Sequence, residues 1–146
     1  MSSRPRGALG VLLVIMMATG CGVLRKSMEI DYDDQRLNDG LERVMSTGRP
    51  ARLRDLTAWD WDEVHLFHEF SEREFIERTV GASVIKADIY NSKASLLVFE
   101  KDGKPVKAAG LSGDYLRGAN HGVTWNADVV AQSLGKGFVE LTSPKT

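Results

Sequence analysis

Apolar positions along this chain follow three kinds of pattern. One is an unbroken block, residues 8–17, reading ALGVLLVIMM. Another is helical spacing: Leu37, Leu41, Val44 and Met45 sit at i, i+4, i+7 and i+8 within 33–46, which lines one face of a helix, and Gly48 offers a stop. Gly40 lies inside that segment and costs up to about 1 kcal/mol of helix propensity, so the helix needs a surface to pack on. Phe75, Ile76, Thr79 and Val80 supply a second helical face. Ser71 and Glu74 have the spacing of a capping box ahead of it, and Gly81 is placed to close it in the left-handed conformation.

The remaining pattern is strand-like. Residues 62–69 and 83–90 are rich in β-formers, and 94–101 (ASLLVFEK) reads as a buried strand carrying Leu96, Leu97, Val98 and Phe99. Asp102-Gly103 is a hairpin signal, after which 104–111 should return antiparallel, with Pro105 marking an exposed edge. Residues 48–55 read as a connector and 112–122 as a Gly-rich polar loop. The last segment, 123–142, fits a strand pair turned at Leu134-Gly135-Lys136-Gly137; a short helix over 126–134 is the competing reading. Helices early and strands late predict an α+β fold, with one or two short helices packed on a mainly antiparallel sheet of about five strands.

The apolar block changes the picture of where the protein resides. Arg4 and Arg6 precede it and Ala18, Thr19 and Gly20 follow it, which is the layout of a secretory signal. It falls short of the roughly 20 apolar residues that a spanning helix needs. Cys21, the only cysteine of the 146-residue chain, comes next. Ala18-Thr19-Gly20-Cys21 resembles a bacterial lipobox, in which the cysteine thiol carries a diacylglyceryl group and becomes the mature N-terminus. It departs from the usual pattern at Ala18, where Leu is commonest. The expected organisation is a signal peptide over 1–20, a tether over 21–32 that begins at the lipid-attachment residue Cys21, and a single extracytoplasmic domain over 33–146. Two acyl chains hold a protein stably on a membrane where one does so only marginally.

Loss of 1–20 leaves no cysteine for a disulfide, a thiolate metal cluster or a thiol nucleophile, so the domain must hold together by its core. It also removes two arginines, which leaves 17 basic residues against 20 acidic ones and a net charge of −3. That balance argues against a nucleic-acid partner and against electrostatic attachment to anionic lipid.

Candidate chemistry concentrates in 57–70, TAWDWDEVHLFHEF. In an extended chain, residues two apart share a face, so His65 and His68 point to opposite sides and cannot meet at one metal. The remaining histidine, His121, is distant in the Gly-rich loop. No metal, cofactor or catalytic constellation is therefore expected. Asp60 and Asp62, if extended, lie on one face about 6.5 Å apart, a spacing that suits acid–base work on a glycoside. The weightier reading is a pair of solvated acids that keep a strand edge from pairing with strangers. Trp59 and Trp61 fit packing over a core better than stacking on a ligand.

Other patterns lose on context. Ser83-Val84-Ile85-Lys86 matches S-x-x-K of the penicillin-recognising enzymes, but it follows a helix stop and has no K-T-G after it. Gly110, Gly113, Gly118 and Gly122 match neither the dinucleotide nor the P-loop spacing. The acids around 31–40 lack the glycine and final glutamate of an EF-hand loop.

A wider resemblance covers about 59–106. Trp61-Asp62-x-Val64-x-x-Phe67, then Phe70-Ser71-x-x-Glu74-x-Ile76-Glu77 with Gly81, then Leu97-Val98-Phe99-x-x-Asp102-Gly103-x-x-Val106, is similar to a group of small bacterial lipoproteins. What the resemblance implies is an anchored extracytoplasmic domain; the group carries no established activity to transfer. The expectation is a membrane-anchored binding or accessory module. It would meet an envelope protein or cell-wall partner through the sheet edge, Trp59 and Trp61, or the 112–122 loop. A small envelope hydrolase using Asp60, Asp62 or Glu63 with His65 or His121 is the alternative.

Overall fold

The computed structural model of the protein describes residues 26–118 and 123–144. Residues 1–20, where a signal peptide is expected, Cys21 and His121 lie outside the described residues. In chain order the elements are β1 (Ile30–Asp31), α1 (Gln35–Thr47), β2 (Ala51–Arg52), a 3-10 turn (Leu53–Leu56), β3 (Glu63–Phe67) and α2 (Arg73–Val80). Then follow β4 (Leu96–Lys101), β5 (Lys104–Gly110), β6 (Thr124–Asn126), β7 (Val130–Gly135) and β8 (Phe138–Thr142). A five-stranded sheet has the order β1-β5-β4-β3-β6, and a three-stranded sheet has the order β2-β7-β8. Every pairing is antiparallel except that of β1 with β5, so the fold is α+β as the patterning predicts.

Local chemistry sets most of these bounds. The Asp34 carboxylate accepts the Leu37 amide at 2.9 Å and opens α1, and Gly48 closes it at φ 70°. Gly40 is where the 3-10 turn crosses the helix: a Cβ there would stand 2.8 Å from Leu56 Cδ2. That close approach supplies the packing surface that the glycine demands. Asp102 and Gly103 take φ of 51° and 71°, the doubly left-handed turn that matches the twist of β4 and β5.

Several expectations are corrected. Ser71 does not cap α2: its hydroxyl donates to the His68 carbonyl at 2.6 Å, and the N-cap position is Glu72, which has no side-chain cap. Residues 83–90 form no strand beyond an isolated bridge of Glu72 with Ile89. Val84, Ile85 and Tyr90 are nevertheless buried, so the apolar content reflects burial rather than sheet pairing. The 123–142 segment holds the expected β7–β8 pair and no helix, but its first strand, β6, leaves to join the larger sheet. The smaller sheet is closed by β2, from a segment that reads as mere connector. Likewise the chain enters the fold before residue 33, since Ile30 and Asp31 pair with Ala108 and Ala109.

The larger sheet divides the core in two. One face carries Val64, Leu66, Leu97, Phe99 and Trp125 against Leu37, Leu41 and Val44 of α1 and Val139 and Leu141 of β8. The other carries Phe67, Leu96, Val98 and Ala108 against Ile76 and Val80 of α2 and the irregular 84–90 segment. A strand covered on both faces reads as a continuous apolar run, which is why β4 begins Leu-Leu-Val-Phe. Among the described residues, no helix is long and apolar enough to cross a membrane.

Candidate functional site

Asp60 and Asp62 brace the β4–β5 hairpin. The chain bends at 58–59 and at 62 instead of running extended, and both acids face the same hairpin. The Asp60 carboxylate lies 3.0 Å from Lys101 Nζ, and this contact holds the Lys101 ammonium above its ordinary pKa. Asp62 Oδ2 accepts the Asp102 amide at 2.9 Å, at the first residue of the turn. His65 is not among their partners.

The tryptophans are likewise committed. Trp61 is fully buried, donates its indole N–H to Thr57 Oγ1 at 2.9 Å and packs edge-on to Phe99 at 5.0 Å. Trp59 meets the same Phe99 ring at 5.0 Å and carries the Lys107 ammonium 5.0 Å from its own ring centre. Trp61 is thus core, and no part of an exposed aromatic surface. The described part of the Gly-rich loop is also tied down. Asn38 Oδ1 accepts both the Ser112 amide and hydroxyl, at 2.8 and 2.9 Å, and Leu116 is fully buried. His68 Nδ1 lies 2.8 Å from Ser95 Oγ.

Two other places on the larger sheet are less settled, and both lie on the face covered by α2. The first is a polar cluster towards β6. Register places Glu63 opposite Glu100 across β3–β4, and His65 opposite Thr124 across β3–β6. His65 Nδ1 lies 2.7 Å from Thr124 Oγ1, and His65 Nε2 lies 3.2 Å from Glu100 Oε2. The His65 and Glu100 side chains are only 4% and 7% exposed. Even so, Nε2 and Glu100 Oε1 are buried without a hydrogen bond. One ligand atom from each of Glu63, His65 and Glu100 falls within 4.8 Å of the others. These are the residues that one cation could bridge. Alternation along the strand correctly separates His65 from His68, but it says nothing of partners across strands, and that is where Glu100 comes from.

The second place is an apolar cleft of about 370 Å³ between residues 27–32 and 84–91, lined by Met28, Ile30, Tyr32, Ile85, Ile89 and Tyr90 among others. The Met28 amide joins one wall to the Ser83 carbonyl, beside the other, at 3.1 Å, and Lys107 of β5 ties the 27–32 wall to the sheet, its ammonium 2.6 Å from the Asp31 carboxylate. That contact keeps Asp31 below the usual carboxylate range. Tyr32 and Ile89 remain 47% and 41% exposed at the cleft. Burial pushes the Tyr90 phenol up to about 12. Ser92 and Tyr32 act on that phenol in opposite senses, but its hydroxyl is buried without a well-aligned hydrogen bond. Periodicity misses this site because its walls come from a segment that reads as tether and one that reads as strand.

Comparison with protein-family models, curated proteins and solved structures returns no match to this chain.

Proposed function

We propose that the protein is a lipid-anchored accessory module of the bacterial envelope, tethered through Cys21, that binds an envelope protein by seating apolar side chains of that partner in the cleft between 27–32 and 84–91. The observation that carries this reading is the cleft itself. Its volume of about 370 Å³ lies at the lower end of the range for specific binding pockets. Tyr32 and Ile89 form an exposed apolar centre, and Lys26, Glu29 and Lys86 line the polar depression beside it. An apolar centre with a charged rim is the anatomy of a protein–protein contact surface, and tyrosine is among the residues that concentrate binding energy there. The cleft also begins six residues after Cys21, a length of chain that spans at most about 20 Å, so an anchored domain presents it close to the membrane.

Photo-crosslinking in cells tests this. A crosslinking side chain at Ile89, compared with one at Lys136 in the β7–β8 turn, should give a discrete adduct with an envelope protein only from Ile89. Equal adduct patterns from the two positions, or none from Ile89, would contradict it.

A further inference from the structure

We propose that Glu63, His65 and Glu100 form a site for a first-row divalent metal ion of the zinc or manganese kind. The proposal rests on charge and on two orphaned buried atoms, independently of the cleft.

Glutamates directly opposed across two antiparallel strands repel, and an unpaired buried carboxylate is costly. Glu63 and Glu100 hold that opposed position, and Glu100 is almost wholly buried. A divalent ion would balance the two carboxylates.

In the tautomer whose Nδ1–H donates to Thr124 Oγ1, 2.7 Å away, Nε2 turns its lone pair towards Glu100. That arrangement is a ligand geometry for a cation. Metal-bound histidines commonly fix their other ring nitrogen through such an outer hydrogen bond. Of the four buried side-chain atoms left without hydrogen bonds among the described residues, two, His65 Nε2 and Glu100 Oε1, belong to this same cluster.

Two carboxylates and one imidazole suit Zn²⁺ or Mn²⁺, and three protein ligands leave a coordination position for water or substrate. The ligand atoms span up to 4.8 Å, wider than the roughly 3.3 Å between neighbouring ligands of a tetrahedral ion with bonds near 2.0 Å. Binding must therefore draw them together. Glu63 is the half-buried member at the rim of the cluster and the one free to swing inward.

The test uses the full tag-free chain in detergent, stripped with a chelator and dialysed against Zn²⁺ or Mn²⁺ alone. Metal analysis should find one ion per chain, and the melting temperature should rise with that ion. E63Q should weaken binding by about tenfold or more. It should also raise the melting temperature of the metal-free protein, because it removes the opposed charge. H65Q should abolish binding; if it does not fold, E63Q carries the test alone. No stoichiometric binding of either ion, or binding with unchanged affinity in E63Q, would overturn the proposal.

Discussion

The two faces of the larger sheet solve the same problem differently. On the face towards α1 and the smaller sheet, a 13-residue helix and a second sheet lie over the strands. Three rings, Trp59, Trp61 and Phe99, pack edge to face, and the acids nearby are spent on the hairpin. On the face towards α2, the eight-residue helix and an irregular segment do not cover the sheet evenly. What is left over is an apolar cleft at the β1 end and a buried Glu–His–Glu cluster at the β6 end. The larger of the two cores lies on the first face, and the cleft and the Glu–His–Glu cluster lie on the second.

Substitutions separate the two. The largest effect is expected for Phe99→Ala, which removes the ring shared by both tryptophans and should cost about 3–5 kcal/mol in a denaturant titration. Destabilisation below about 1 kcal/mol would mean that the ring cluster is not the centre of the first core.

Next is the alkaline limb of the stability curve. Tyr90 has its folded pKa raised from 10.0 to about 12, so the fold favours the neutral phenol. Its contribution is complete below the unfolded pKa and is lost as pH rises through the folded one. Tyr90→Phe should therefore leave neutral-pH stability nearly unchanged and flatten the decline between about pH 10 and 12 relative to the parent. An identical decline in both proteins would show that the phenol is not held neutral by the second core.

Gly40→Ala sets a gain of helix propensity against the Leu56 contact, and the contact should win by about 1 kcal/mol, read as a lower denaturant midpoint. A stabilised variant would show that the 3-10 turn yields easily. Smallest is Ile89→Ser at the cleft. It should change stability by no more than about 0.5 kcal/mol while reducing partner capture. A large loss of stability would move Ile89 from the binding surface into the core.

Legibility in the sequence follows the same division. Elements with one uniform environment are readable: α1 with its Gly48 stop, the doubly covered β4, and the Asp102-Gly103 turn. Residues 83–90 mislead because their backbone bonds are dispersed. The Phe70 amide goes to the Tyr90 carbonyl, the Arg73 amide to that of Asp88, and the Tyr90 amide to that of Ser71. Composition reports the burial of Val84 and Ile85 but not this absence of a ladder. Two-residue strands such as β1 and β2 are too short to show a period, and without them neither the cleft nor the smaller sheet can be inferred. The Glu63–His65–Glu100 cluster depends on register between strands far apart in the chain, which no local pattern encodes.

The proposed anchoring through Cys21 would fix where the domain sits, so its chemistry is the most direct test. Intact-mass analysis of the native product, with labelled palmitate fed to cells making either the wild type or Cys21→Ser, reads it in one step. The account predicts a mature chain that begins at Cys21 and carries acyl groups, with label absent from the variant. A wild-type chain that retains residues 1–20 and bears no lipid would contradict it.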